Sequence, residues 1–311
     1  MKKIIVAGGA GFIGVHLCKK LLENKNNFVI CLDNFYSGQK KNLELFKNKN
    51  NFKFIRHDIN KKISIPADEI YNLACPASPK FYQEDPVYTI KTCIIGTSNL
   101  LDNALKFNAK FFQASTSEIY GNPIYHPQRE KDWGNVNPIG VRSCYDEGKR
   151  GAETLCFDFN RQFNLSVKVA RIFNTYGPHM YKYDGRVISN IILQALKNKE
   201  INIYGSGKQT RSFCYIDDLI LGITKLMRTN KKYLGPVNLG NPNETSILSI
   251  ANKIKKLTKS KSKIVFKKLP KDDPIRRKPD INKAKKELKW HPKVYIDDGL
   301  IKTIKYYYKL I

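Results

Sequence analysis

The sequence predicts a doubly wound parallel α/β sheet with a smaller, discontinuous C-terminal lobe. Three observations carry this. Short β-branched runs alternate with longer amphipathic patterns through the first half, a glycine-rich loop joins the first run to the first helical pattern, and after residue 176 the elements shorten while turn signals multiply. Such alternation implies right-handed crossovers and places a ligand beyond the carboxyl ends of the strands.

In order, residues 3–6, 28–32, 52–56, 69–73, 110–114 and 166–172 read as strands, each apolar enough to be covered on both faces. Amphipathic helices fall between them, with long helical runs over 85–107 and 145–163. Beyond 176, Gly177-Pro178, Gly205-Ser206-Gly207, Gly235-Pro236 and Asn241-Pro242 punctuate shorter elements. The expected division is a nucleotide-binding domain over 1–176, joined by about 214–240, which reads as a helix and then a strand returning to the sheet edge. Residues 177–213 and 241–311 would form the second lobe, and there is no repeat of solenoid or propeller period.

The loop after the first strand, Gly9-Ala10-Gly11-Phe12-Ile13-Gly14, is Gly-x-Gly-x-x-Gly, and Gly8 adds a Gly8-x-x-Gly11-x-x-Gly14 spacing. Glycines there permit a tight turn and close approach of the backbone to a pyrophosphate seated on the positive end of the next helix. Asp33 closes the second strand nineteen residues past Gly14, where a carboxylate accepts both ribose hydroxyls of an adenosine. This is a Rossmann-type signature. It favours NAD over NADP, because Asp33 repels a 2′-phosphate and Asn34 offers no guanidinium to neutralise one. Asp58, ending the third strand, is placed to meet the adenine amino group, although such an Asp is more often a simple strand terminator.

Tyr145 and Lys149 are four apart on a helical run and share a face. A neighbouring cation lowers the pKa of a phenol that starts near ~10 and moves it toward general acid/base work. Accident alone gives many helices this spacing. What singles it out is the hydroxyl-rich stretch 114–121, ASTSEIYG, at a strand end about thirty residues earlier, from which Thr116 can share a substrate hydroxyl with Tyr145. Glu118 lies two residues further, on the same side if the segment is extended.

Dinucleotide loop, Ser/Thr turn and Tyr-x-x-x-Lys in this order resemble the extended short-chain dehydrogenase/reductase family along the whole chain. Within it, residues 72–79 (NLACPASP), 136–150, 170–177 (ARIFNTYG), 184–187 (DGRV) and 276–280 (RRKPD) are similar to the UDP-glucuronate decarboxylase branch. That resemblance implies a carboxy-lyase converting UDP-glucuronate to UDP-xylose and CO2, with retained NAD taking a hydride from sugar C4 and returning it. It implies Tyr145, Lys149, Thr116 and Glu118 as the chemical group. Ser117 would stand where related 4,6-dehydratases carry an Asp for a departing hydroxyl that decarboxylation lacks. Phe12, Ile13, Asn34, Ser37, Gly38, Ile59, Leu73, Cys75 and Thr92 would complete the cofactor site. Asn174, Thr175, Arg186, Tyr204, Arg211 and Arg277 would hold the uridine diphosphate, with Lys91 and the turn from Pro76 to Pro79 facing the sugar acid. Related families pair the helices at 85–107 and 145–163 across a two-fold, so a homodimer is expected.

Other readings remain open on the residues alone: a nucleotide-sugar 4-epimerase acting on UDP-glucuronate or a UDP-hexose, or a non-catalytic basic binding protein on the same fold. The formal charge of +28 keeps the last in play, since 55 Lys and Arg face 27 Asp and Glu. Residues 253–289 alone hold sixteen basic against four acidic side chains. These lysines are interleaved with Ile254, Leu257, Ile264, Val265, Phe266 and Leu288, as on solvated faces of ordinary elements, and no stacking platform accompanies them. Compositional bias is the reading, with no specific nucleic-acid partner. Seven scattered cysteines without a Cys-x-x-Cys pair, and histidines without ligand spacing, signal neither a disulfide framework nor a metal. A cytoplasmic protein is expected, and no run approaches the ~20 apolar residues of a membrane span.

Overall fold

The computed structural model describes residues 1–268 and 276–311. Strands β1 (Lys2–Ala7), β2 (Asn27–Asp33), β3 (Phe52–Arg56), β4 (Glu69–Asn72), β5 (Lys110–Thr116) and β6 (Val167–Ile172) form one parallel sheet with the strand Val237–Leu239. Its order is Val237–Leu239, β6, β5, β4, β1, β2, β3. The direction of winding therefore reverses between β1 and β4, and the loops leaving those strands part to open a crevice.

Alternation along each strand sends side chains to two cores. On one face Ile4, Val6, Val29, Cys31, Phe112 and Ala170 pack with Val15 and Leu17 of helix α1 (Phe12–Leu21) and Leu219 and Ile223 of the helix Ile216–Met227. On the other, Ile5, Ala7, Ile30, Ile70, Phe111 and Val169 pack with Leu100, Leu101 and Cys156 from the helices Thr97–Lys106 and Ser143–Phe163. The first core runs on into the C-terminal lobe through Ile191, Ile192, Ile250, Leu300 and Tyr307. In that lobe Ile201–Tyr204 pairs with Ile264–Lys267, and Thr210–Ser212 lies between Glu244–Ser246 and Arg276–Arg277. Residues 269–275 of the basic C-terminal stretch lie outside the described residues.

One expected helix is broken. Instead of a single element over 85–107, the chain forms Pro86–Lys91, a π-helical turn at Thr92–Gly96 and then Thr97–Lys106. The hydrophobic period through the π turn resembles that of a continuous helix, so the sequence pattern does not reveal the extra residue. Among the described residues, no helix is long and apolar enough to cross a membrane.

Candidate active site

The crevice opens into a cavity of about 570 Å³ lined from both lobes. Its floor begins with the glycine loop. Gly8 has φ +78°, and a Cβ there would lie 2.8 Å from the Leu73 carbonyl carbon; one on Gly14 would lie 2.1 Å from the Gly8 oxygen. Side chains are thus excluded where β1, α1 and the chain leaving β4 meet. Helix α1 starts at Phe12 after Gly11, with no side-chain cap and no acidic residue in its first turn. Its free N–H groups face a cavity lined by Gly8, Gly11, Phe12, Ile13 and Gly14. That cradle, closed to side chains and open to an anion, fits a dinucleotide pyrophosphate.

Asp33 ends β2, where its carboxylate accepts from Ala10 N (3.0 Å) and Phe35 N (2.8 Å) while burial pushes its pKa up. A Cβ on Gly38 would come within 2.6 Å of Asp33 Oδ1, so that glycine is required by the carboxylate beside it. Asn34, Ser37 and Gly38 line the cavity next to it, as do Ile59, Leu73, Cys75, Pro76 and Thr92 further along. Asp58 does not stand open in the crevice. Its Oδ2 accepts from Asn34 (3.2 Å) and the Tyr88 hydroxyl (3.0 Å), and Oδ1 accepts from Asn60 N (2.9 Å). Tyr88, its ring tilted 30° against that of Tyr36 with centroids 4.9 Å apart, carries no signal in the sequence.

At the carboxyl end of β5, Thr116 accepts from Glu118 N at 3.2 Å and caps a 3₁₀ turn over Ser117–Tyr120. The segment is therefore not extended beyond Thr116; a hydroxyl competing for local N–H groups curls it. Thr116, Ser117, Glu118, Tyr145 and Lys149 nevertheless all line one end of the cavity. Tyr145 is hydrogen-bonded with Thr116, and Lys149 Nζ donates to the Ala114 carbonyl (2.9 Å) while lying 5.8 Å from the Tyr145 ring centroid. The expected depression of the phenol pKa is not what the polypeptide produces. Burial holds Tyr145 well above its usual range, aided by nearby Cys75, and the Thr116 hydrogen bond opposes this only in part.

Two residues that sequence reasoning missed complete this end. Tyr82, on the helix Pro79–Glu84, stacks on Tyr145 with centroids 5.1 Å apart and planes 7° from parallel. Arg142 pairs with Glu118 at 2.6 Å, and Arg277 reaches the same Oε2 at 3.3 Å. Burial raises the Glu118 pKa, but Arg277, Arg142 and Arg211 outweigh it and keep the carboxyl below its ordinary value. Asp146, buried near Glu118, goes the other way and is pushed up to about 7 by burial and by that neighbouring charge. Removing the Arg142 charge is expected to raise the Glu118 pKa, because one of the guanidiniums that hold the carboxylate ionised is lost. An Arg142→Met enzyme should then show the acid limb of its kcat/KM profile moved to higher pH; an unmoved limb would remove Glu118 from the proton chemistry.

Asn174 and Thr175, just beyond β6, and Arg186, Tyr204 and Arg211 of the second lobe contribute to the cavity wall. Arg186 forks onto Asp184 and lies near enough to Tyr145 to interact with its charge, and Thr175 Oγ1 donates to the Phe173 carbonyl (2.9 Å). Two expected contacts fail. Lys91 is exposed at the end of the helix Pro86–Lys91 and does not line the cavity, because the buried face of this run passes through Thr89 and Thr92. Arg277 is 1% exposed and lies behind the wall; one nitrogen goes to Glu118, while buried Nε and Nη1 have no hydrogen-bond partner.

A sheet with a nucleotide cradle at its switch point, and a Tyr–Lys helix facing a Ser/Thr strand end, defines an extended short-chain dehydrogenase/reductase. The family model described as GDP-mannose 4,6 dehydratase matches residues 5–303. UDP-glucuronic acid decarboxylase 3 of Arabidopsis thaliana is 51% identical over 298 residues, 96% of this chain and 86% of the relative. UDP-glucuronic acid decarboxylase 1 of Xenopus tropicalis is 50% identical over 99% of this chain and 72% of its own length. Among solved structures, UDP-glucuronic acid 4-epimerase from Bacillus cereus, in complex with UDP-glucuronic acid and NAD, superposes with a TM-score of 0.89 at 30% identity, covering 99% of this chain and 100% of the other. The chain belongs to the GDP-mannose 4,6 dehydratase family, within its UDP-glucuronic acid decarboxylase branch.

Proposed function

We propose that this protein is an NAD-dependent UDP-glucuronate decarboxylase that forms UDP-xylose and CO2. The observation that carries the reading is the convergence, at one end of the cavity, of the Tyr145 phenol bonded to Thr116, Lys149 beside it, and a Glu118 kept ionised by arginines. About half of the sequence is shared with decarboxylases of that name over nearly its full length. When bound, NAD supplies reversible oxidation at sugar C4 and a positive charge that favours the phenolate.

The glycine loop and the α1 N-terminus bind the pyrophosphate, Asp33 the adenosine ribose, and Lys149 the second ribose. Tyr145 accepts the C4 hydroxyl proton. Once C4 is a ketone the C6 carboxylate is β to it, and the bond to CO2 breaks with its electron pair passing into the C4 oxygen. Tyr145, now protonated, and Thr116 donate to that oxygen and stabilise it as charge develops. A proton is then delivered to C5 from solvent, through a water that the ionised Glu118 is in place to orient. Asn174, Thr175, Arg186, Tyr204 and Arg211 hold the uridine diphosphate, their charges matching its phosphates.

Purified protein incubated with UDP-glucuronate and NAD should release CO2 and a nucleotide lighter by that mass, identified as UDP-xylose. A product of unchanged mass with inverted C4 would make the protein a 4-epimerase, the activity named for the structural neighbour above. We place the enzyme in the cytoplasm, where seven free cysteines remain reduced. A homodimer fits the apolar side chains left outside by the helices Pro86–Lys91 and Ser143–Phe163: Val87 is 58% and Phe163 44% exposed, with Ile90 and Ile95 beside Val87. Light scattering should give twice the 35.8 kDa chain mass; a monomer at micromolar concentration would sink the dimer.

A further inference from the structure

The seven cysteines are all free; Cys18 and Cys31 meet deep in the core, and a second pair meets beside the cavity. Cys75, at the mouth of β4 and lining the cavity, has its sulfur 3.2 Å from that of Cys93 in the π turn Thr92–Gly96. Nothing in the reaction proposed above uses either sulfur as a reactant.

Cys93 is also in contact with the catalytic helix. A Cβ on Gly148 would fall 2.9 Å from Cys93 Cβ and 3.1 Å from its sulfur, so the helix residue between Tyr145 and Lys149 has no side chain where Cys93 packs. The pair thus bridges the loop that borders the cofactor site and the helix that carries the phenol. We propose that Cys75 and Cys93 are an oxidisable dithiol, a modification site at which a hydroperoxide closes a disulfide and reversibly silences the enzyme.

The electrostatics support attack by one particular sulfur. Burial raises the Cys75 pKa, but the hydrogen bond from Cys93 and the Lys149 charge overcome this and leave the thiol below its ordinary value. Cys93 is held well above its own, so it serves as the donor and the resolving thiol. The Cys75 thiolate attacks one peroxide oxygen and becomes a sulfenic acid as the O–O bond breaks and water leaves. The Cys93 sulfur then displaces the second oxygen, also lost as water, giving the disulfide. Two thiols are oxidised by two electrons and one peroxide is reduced to two waters. From 3.2 Å the sulfurs need to approach by only about 1.2 Å. The approach draws Cys75 out of the cavity wall and pulls on the π turn, which is already an irregular joint between two helical pieces.

The test treats the reduced, NAD-loaded protein with hydrogen peroxide, measures turnover on one portion, and denatures the other in an alkylating agent so that the buried thiols also react before intact mass is read. We expect five alkylated thiols instead of the seven of the reduced chain, a Cys75–Cys93 crosslink in the non-reducing peptide map that disappears on thiol treatment, and a roughly ten- to hundredfold loss of turnover restored by dithiothreitol. Cys93→Ser and, against any folding penalty of a buried hydroxyl, Cys93→Ala should keep basal turnover and resist peroxide. Seven alkylated thiols after treatment, a crosslink that joins Cys75 to Cys144 instead, or equal peroxide sensitivity in the Cys93 variants would each overturn the proposal.

Discussion

Replacing Tyr145 by Phe is expected to lower kcat by about 10²–10⁴-fold, the usual contribution of a positioned general acid/base, while UDP-sugar binding changes little. The asymmetry follows from the geometry. The ring of Tyr145 is stacked on Tyr82, so Phe keeps the packing and removes a single oxygen whose partner is Thr116. The proposed uridine diphosphate contacts are other side chains, Asn174, Arg186 and Arg211, none of which the substitution removes. Single-turnover kinetics with UDP-glucuronate would show loss of both CO2 release and formation of reduced cofactor, because proton removal precedes both. A Tyr145→Phe enzyme that still reduces its cofactor at a normal rate would mean another base takes the C4 proton, and the assignment would fail. The phenol is held above its ordinary pKa by burial, so in the wild type the rate should also climb with pH until the Tyr145 proton is lost.

What the sequence disclosed of this site is what local geometry controls. Gly8, Gly11, Gly14 and Asp33 are legible because a turn, a helix start and a strand end lie within one βαβ stretch, and each glycine answers a steric demand seen at that point. Tyr145 and Lys149 are legible because four residues make one helical turn. The Glu118 cluster is not, since Arg142 lies 24 and Arg277 159 residues from it in sequence, and only the packed fold brings their charges together. Family resemblance located Arg277 in the right neighbourhood but not on the right side of the wall. Lys91, likewise an inference from resemblance, lies off the buried face of its helix, which runs through Thr89 and Thr92. Tyr82 carried a faint signal, an aromatic one turn into a helix begun by Pro79, yet stacking requires knowing that this helix meets the one bearing Tyr145.

Behind the chemical group lies an ion pair whose loss should be the most damaging to stability. Glu153, one turn past Lys149 on the same helix, receives Arg171 of β6 through two bonds, Nε to Oε1 at 3.0 Å and Nη2 to Oε2 at 2.9 Å. Ser115 of β5 also donates to Glu153. Arg171 continues to the Tyr120 hydroxyl (3.0 Å) and the Glu130 carbonyl (2.9 Å), and Tyr120 donates to Asn238 (2.8 Å). All of these groups but Glu130 are buried, so Glu153→Ala strands a guanidinium in the interior, and a cost of about 3–5 kcal/mol is expected from urea unfolding. The same network sets the register of the catalytic helix on the sheet, since Ser115 and Arg171 are cross-strand partners one residue before Thr116 and Ile172. Turnover should therefore fall in the Glu153→Ala enzyme even at temperatures where it is folded, while Glu153→Gln, which keeps the shape and part of the bonding, should lose less of both. The double variant Glu153→Leu with Arg171→Met removes both charges and should recover a large part of the stability, because no unpaired ion is left buried, but not the activity. If the single Ala variant cost under about 1 kcal/mol, in the range of an exposed pair, the helix would be held on the sheet by apolar packing alone.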